Sequence, residues 1–176
     1  VHGIVQSHDG AIRVDSRPGL GSTFEVYLPA TAEESPPPSS DQPDILPVRG
    51  SERILLVDDE ASLLKIGERF LRESGYEVTP CLHPDTALEL FRHSPWNFDL
   101  VITDYSMPGQ SGLDLGARIR ELRPDLPMII CTGYGAGLTK ERARRVGFHN
   151  VLHKPVGLEE FGQAIREALE QTARQA

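Results

Sequence analysis

Four short polar stretches, each placed at the end of an apolar run, hold the residues of this chain that are equipped for chemistry. Asp58-Asp59 follows Ile54-Leu55-Leu56-Val57, and Asp104 follows Leu100-Val101-Ile102-Thr103. Thr132 follows Met128-Ile129-Ile130-Cys131, and Lys154-Pro155 follows Val151-Leu152-His153. If each run is a buried parallel strand, all four polar groups emerge at the carboxyl edge of one sheet, the edge where open α/β folds bind ligands. Three carboxylates, a hydroxyl and an ammonium gathered there describe a cation-dependent phosphoryl site. Clustered carboxylates repel, and burial drives one of them towards protonation; a hard divalent cation removes that conflict. Singly, each stretch has a plainer explanation. Asp58-Asp59 would suit the N-terminus of any helix, Thr132 would be a loop residue and Lys154 a solvated charge. Jointly, in this order and each behind an apolar run, those explanations are improbable.

The elements that must position these groups alternate in hydrophobic period. After the first strand, Leu63, Ile66, Phe70 and Leu71 fall at helical spacing, and Ser74-Gly75 forms a C-cap signal. Glu77–Cys81 reads as a second strand, and Pro84 opens a helix carrying Ala87, Leu88 and Phe91. The third strand ends at Asp104, and Leu115, Ile119 and Leu122 mark a helix over Gly112–Leu122 that Arg123-Pro124 stops. The fourth strand ends at Cys131 or Thr132, and a weak helix runs from about Leu138 to Val146. A short fifth strand precedes the cleanest stripe, Leu158, Phe161, Ile165 and Leu169. Five β–α units in series predict an α/β fold, a doubly wound parallel sheet with right-handed crossovers and helices on both faces.

A chain of 176 residues with 39% hydrophobic content holds one ordinary domain plus a remnant. The net charge of −8 and a pI near 5.2 argue against non-specific nucleic-acid binding. Cys81 and Cys131 lie in predicted strands and read as reduced core residues, not as a disulfide framework. No run approaches the roughly 18 apolar residues of a membrane span, and no signal peptide is visible. The chain opens at Val1 in mid-motif, so it reads as a cytoplasmic piece of a longer protein that has room for a membrane anchor elsewhere. Residues 31–50 carry Pro36, Pro37, Pro38, Pro43 and Pro47 among Ser, Asp and Glu, a composition that reads as an extended linker. Three segments follow: 1–30, the linker 31–50, and 51–176.

The set Asp58-Asp59, Asp104-Tyr105-Ser106-Met107-Pro108 with Gly112, Thr132-Gly133 and Lys154-Pro155 resembles a receiver domain of two-component signalling, over essentially all of 52–174. The resemblance implies a flavodoxin-like sheet of strand order 2-1-3-4-5 and a magnesium ion. Its ligands would be Asp59 and Asp104, with Asp58 acting directly or through water, and the backbone carbonyl of Ser106. Asp104 would be the nucleophile that accepts a phosphoryl group as an acyl phosphate. Such a transfer mostly requires in-line positioning and charge neutralisation, with Lys154 pairing with one phosphoryl oxygen and Thr132 donating its hydroxyl to another. Gly133 would leave room beside Thr132, and Lys154-Pro155 would be cis. One position departs from the family pattern. Receivers usually carry Tyr or Phe three residues before the lysine, and here that residue is Val151, too small to swing between exposed and buried poses.

Residues 1–29 follow a separate logic: a helix end yielding at Asp9-Gly10, a strand through Ile12 and Val14, a turn at Arg17–Gly21, and a strand over Phe24–Leu28. This stretch, with Gly19-Leu20-Gly21-Ser22-Thr23-Phe24, looks like the carboxyl end of a histidine-kinase ATP-binding domain. It is too small to fold alone, so it is expected to be disordered or to pack on the larger segment. It lacks the kinase's nucleotide-binding elements, so the chain is not expected to be a kinase itself.

Kinase end, linker and receiver in that order resemble the tail of a hybrid sensor histidine kinase. The leading expectation is a monomeric relay module that takes phosphoryl from a histidine of its own kinase core or of a histidine phosphotransfer protein, and relays it to a phosphotransfer histidine or loses it to water. The alternative is a receiver that regulates its attached kinase by docking, with phosphorylation incidental. A phosphatase of similar topology is disfavoured because Ser106 stands where an acid–base aspartate would be needed. His83, His93, His149 and His153 show no metal spacing and are assigned surface or strand-end roles. Arg142, Arg144 and Arg145 read as a solvated helix face with the capacity to guide an acidic partner.

Overall fold

A computed structural model describes residues 2–19, 21–30, 50–133 and 137–173. The chain divides into two compact units at Gln42–Pro43. The proposed linker, apart from Gly50, and Leu20 of the amino-terminal turn lie outside the described residues.

In the amino-terminal unit, α1 (His2–Ser7) leads through Asp9, which adopts φ 53°, into an antiparallel hairpin of β1 (Ala11–Arg17) and β2 (Gly21–Tyr27). A helix and hairpin therefore stand in place of the disordered segment that was one of the two expectations for this stretch. Cross-strand pairing explains part of this. Ile12 faces Val26 and Val14 faces Phe24, so one face is apolar, and such pairs contribute roughly 0.2–1 kcal/mol each. Within this unit Val14, Phe24 and Val26 nevertheless remain exposed.

The larger unit is a five-stranded parallel sheet of order β4-β3-β5-β6-β7. Its strands are β3 (Arg53–Val57), β4 (Glu77–Cys81), β5 (Leu100–Asp104), β6 (Met128–Thr132) and β7 (Asn150–His153). Counted within the unit this is the order 2-1-3-4-5 expected from the sequence. The intervening helices are α2 (Ala61–Glu73), α3 (Pro84–His93), α4 (Gly112–Leu122), α5 (Lys140–Val146) and α6 (Leu158–Ala173). Successive strand residues point to opposite faces, which divides the core in two. Leu55, Val57, Val101 and Ile130 pack with Leu88, Phe91, Ile119 and Ala143 beneath α3, α4 and α5. Ile54, Leu56, Ile102 and Ile129 pack with Leu64, Leu71, Phe161 and Ile165 beneath α2 and α6. Because both faces are covered, β5 and β6 are buried at every residue, which is why they read as unbroken apolar runs.

Two local devices hold the ends of this sheet. At the carboxyl edge, a capping box of Ser111 and Asp114 starts α4, and Gly112 presses its backbone against Asp104. A Cβ at Gly112 would collide with the Asp104 carbonyl oxygen, so only glycine lets the helix begin this close to the strand. At the amino edge, His149 does what its spacing did not reveal. Its backbone N–H donates to the Met128 carbonyl at 2.8 Å, and its ring Nδ1 accepts the Met128 N–H at 3.3 Å. Burial first, and Arg120 second, lower its pKa below the ordinary 6.5.

Two outcomes follow. Gly112→Ala must displace α4 or the end of β5, at a cost of about 1–3 kcal/mol, read as a lower urea midpoint together with shifted Asp104 amide resonances. The neutral His149 ring contributes stability that is complete above pH 6.5 and is lost as pH falls through and below that value, because the unfolded chain then binds the extra proton. His149→Asn, which keeps an acceptor without a titration, should flatten the pH dependence of urea stability in that window; an unchanged slope would exclude this role.

Candidate functional site

The parallel register delivers the polar residues to one edge. Val57 pairs with Thr103 and Cys81, Asp104 with Cys131, and Thr132 with His153. Backbone bonds extend beyond the strands: Asp58 N–H to the Cys81 carbonyl, Tyr105 N–H to that of Cys131, and Lys154 N–H to that of Thr132. Each functional side chain thus leaves a strand whose end is itself tied to its neighbour. The Lys154–Pro155 peptide is cis, as the resemblance implied.

At the centre is one ammonium between two carboxylates. Lys154 Nζ lies 2.7 Å from Asp58 Oδ2 and 2.6 Å from Asp104 Oδ1. The remaining oxygens accept backbone donors: Asp104 Oδ2 takes the Ser106 N–H at 2.6 Å, and Asp58 Oδ1 takes the Glu60 N–H at 2.9 Å. Asp104 is buried, its side chain only 7% exposed, while that of Lys154 is 27% exposed. Burial alone would lower the lysine pKa, but the hydrogen bonds to Asp104 and Asp58 outweigh it and hold the ammonium charged above its ordinary range. Behind the carboxylates, Cys131 is buried, and desolvation pushes its thiol up to about 12, so it stays protonated and unreactive.

The other expected members are placed differently. Thr132 is buried at the end of β6 and donates its hydroxyl to the Gly133 carbonyl at 3.4 Å. That bond is so long that the hydroxyl is readily re-aimed. Ser106 meets the site through its N–H. Among the described residues, a side chain at Gly133 would meet nothing within 4 Å. Asp59 is exposed, and among the described residues no group of three His, Cys, Asp or Glu side chains stands close enough to form a metal centre. Three clustered carboxylates would repel; the structure joins two through a lysine and leaves the third in solvent.

The donor set nevertheless fits a hard divalent cation. Asp58 and Asp104 supply two neighbouring carboxylates, and their combined charge exceeds that of one ammonium. Magnesium characteristically takes one or two carboxylates and completes its shell with water and phosphate oxygens.

A groove of about 470 Å³ runs from this cluster between α2 and α6, past Leu56, Leu63, Ile66, Leu158 and Phe161. Leu63, Ile66 and Leu158 belong to the helical stripes read from the sequence, yet they are 37%, 61% and 52% exposed. The apolar stripe is wider than the face the core can cover. The residues on its margin form an apolar approach to the acidic pair, which periodicity alone assigns to the interior.

A doubly wound parallel sheet with an acid–lysine cluster at its carboxyl edge defines a receiver of two-component signalling. The chain belongs to the response regulator receiver domain family, whose model matches residues 54–166. It is 29% identical over 177 residues to the sensor kinase CckA of Brucella abortus, a match covering 97% of this chain and 19% of that protein. It is 31% identical over 182 residues to the virulence sensor protein BvgS of Bordetella bronchiseptica, covering 97% of this chain and 14% of that protein. The chain therefore spans less than a fifth of either relative. A solved receiver domain from Clostridium thermocellum superposes with a TM-score of 0.68 at 30% identity, covering 71% of this chain and 99% of that one. Among the described residues no helix is long and apolar enough to cross a membrane.

Lys154→Met removes the charge shared by Asp58 and Asp104. Breaking a buried ion pair costs 3–5 kcal/mol, and the partial solvation of this lysine reduces that to about 2–3 kcal/mol. The variant should therefore unfold at lower urea concentration, and added magnesium should raise its melting temperature more than that of the wild type. Equal magnesium responses would show that the ammonium does not offset the carboxylate charge.

Proposed function

We propose that Asp104 accepts a phosphoryl group from a phosphohistidine, and that the observation supporting this most strongly is the Asp58–Lys154–Asp104 bridge. The Asp104 carboxylate attacks phosphorus as the phosphorus–nitrogen bond breaks; because the donor ring carries a proton on its other nitrogen, neutral imidazole leaves and an acyl phosphate forms. Lys154 is already in contact with the attacking group, so it follows the charge as it moves onto the phosphoryl oxygens, while the Thr132 hydroxyl turns from Gly133 to another of them. Asp59, Asp104 and the Ser106 carbonyl, with Asp58 acting directly or through water, would hold a magnesium ion, which would supply neutralisation of phosphoryl charge. Asp104 lies almost wholly beneath the surface, which favours a donor that inserts its phosphoryl group. The apolar flank of Leu63, Ile66 and Leu158 suits a protein donor, either the kinase core of the parent protein or a histidine phosphotransfer protein.

The wider organisation belongs to the same reading: residues 1–30 as the end of a kinase ATP-binding domain, 31–50 as linker and 51–176 as receiver, at the tail of a hybrid sensor kinase in the cytoplasm. Two observations support it. The alignments with the two sensor proteins cover 97% of the chain, which brings in much of its amino-terminal segment. The exposed apolar hairpin face of Val14, Phe24 and Val26 is of the kind that a larger domain covers. The docking alternative draws on Val151, which is half-buried and has no ring to reorient.

Incubation with acetyl phosphate and magnesium should label the wild type with an acid-stable, hydroxylamine-sensitive phosphoryl group. Asp104→Asn should abolish that label, and chelation of magnesium should reduce it by at least about tenfold. Wild-type labelling in Asp104→Asn would disprove the acceptor assignment; a failure of the wild type to label, with partner control intact, would favour docking.

A further inference from the structure

The loop from β5 to α4, residues 105–111, carries the backbone N–H of Ser106 that holds Asp104 Oδ2 at 2.6 Å. Its two ends are tied down. The Tyr105 N–H donates to the Cys131 carbonyl at 2.8 Å, and the Tyr105 carbonyl accepts the Gly112 N–H at 3.0 Å. Ser111, at the other end, is fixed by the capping box of α4. Between them Met107 is buried in the core, while Ser106, Pro108 and Gly109 are exposed. The chain turns at Gly109 in the left-handed region, φ 80°, which glycine adopts without strain.

Gln110 ties this outer stretch to two helices at once. Its Nε2 donates to Asp85 Oδ1 at 3.1 Å, and its Oε1 accepts the Leu115 N–H at 3.2 Å. The opposite orientation would set oxygen against a carboxylate and NH2 against an N–H, so the amide has one favourable pose. Leu115 shares its N–H with the Ser111 carbonyl at 3.1 Å, a bifurcated arrangement common at helix termini. Asp85 belongs to the first turn of α3 and Leu115 to the first turn of α4. Gln110 is half-buried and Asp85 exposed, so the clamp lies on the open side of the loop.

We propose that Gln110 is a positioning residue for the cation site, and that by bridging α3 to α4 it holds the Ser106 backbone against Asp104 before a cation arrives. This rests on the reading of Asp104 and the Ser106 carbonyl as holders of magnesium. Ser106 is four residues from Gln110, and its N–H is already bonded to Asp104, so a drifting loop would carry the Ser106 donor and carbonyl with it. A residue that merely capped α4 would need the Leu115 bond alone. The bond to Asp85 recruits a separate helix and makes α3 part of the frame of the site. Without the clamp, the loop would be ordered only when the cation binds, and that ordering would subtract from affinity.

The test titrates magnesium into the isotope-labelled full chain and follows backbone amides by NMR. Gln110→Met keeps the length of the side chain and removes both bonds. Outer groups that orient metal ligands set affinity by 10–100-fold, and Gln110 acts one step further out, so binding should weaken about three- to tenfold. The Ser106 and Asp104 amides of the magnesium-free variant should shift or broaden, and its urea midpoint should stay close to that of the wild type. Gln110→Glu should also weaken binding, because two carboxylates would then face each other. Asp85→Asn added to Gln110→Glu restores the bond with donor and acceptor exchanged, and affinity should recover. Wild-type affinity in Gln110→Met overturns the proposal, as does a double variant no better than Gln110→Glu alone. A large loss of urea stability with magnesium affinity unchanged would mark Gln110 as structural only and overturn it too. A wild type that binds no magnesium sinks the metal reading by itself. The magnesium-free amides then decide the clamp: displaced Ser106 and Asp104 resonances in Gln110→Met support it, and unshifted ones overturn it.

Discussion

The ammonium of Lys154 is the interaction on which the carboxyl edge depends. Two carboxylates brought into a half-buried site would otherwise repel each other and lose their hydration, a cost of several kcal/mol per ion. One lysine held by both removes most of that cost, and the Ser106 and Glu60 amides satisfy the oxygens left over. The result is satisfied but not neutral: two negative charges face one positive. That residual charge is what a divalent cation would answer, and the mobility of a lysine stem is what would let the ammonium follow charge onto a phosphoryl oxygen in the proposed transfer. An arginine, with its rigid planar fork, would hold the pair well but follow a moving charge poorly.

A charge balance this fine needs a rigid frame, and the sheet provides it by being buried on both faces. Phe91 stacks on Phe98 with centroids 5.8 Å apart beneath one face, a contact worth about 0.5–1.5 kcal/mol beyond its buried area. Phe70 and Phe161 meet at 5.9 Å on the other. A one-residue slip would exchange the two packed sets of side chains between faces of different shape and displace the polar residue that ends each run. The positions of Asp58, Asp104 and Lys154 are therefore consequences of packing many residues away, and the close seat of Gly112 on Asp104 extends that constraint to the loop.

Much of this was legible in the sequence because the strands are buried on both sides. Ile54–Val57, Leu100–Thr103 and Met128–Cys131 read as unbroken apolar runs, and the polar residue ending each run marks the sheet edge. Helix boundaries followed where a stop signal was strong, as at Arg123-Pro124, and drifted where it was weak: α5 begins at Lys140, two residues after the expected Leu138. The finer site was not legible. Asp58 and Asp59 are indistinguishable by spacing, yet one is held by Lys154 and the other stays in solvent, a choice made by the turn after β3. The exposure of Leu63, Ile66 and Leu158 was also hidden, because periodicity reports which face is apolar but not how far the neighbouring element covers it. His149 carried no local signal, since its role depends on Met128, which only strand pairing brings alongside.

β7 leads directly to the site: Val151 lies within the strand, and Lys154, just beyond its end, holds the acidic pair. An aromatic ring at Val151 would give such a strand a side-chain lever; valine removes it and leaves the backbone. The Lys154 N–H is bonded to the Thr132 carbonyl, and the Thr132 hydroxyl is held only by a long contact to Gly133. A hydroxyl that turned towards a phosphoryl oxygen would therefore pull on the end of β6 and, through that bond, on the end of β7. Packed interiors deform little, so the displacement carried along β7 would be small.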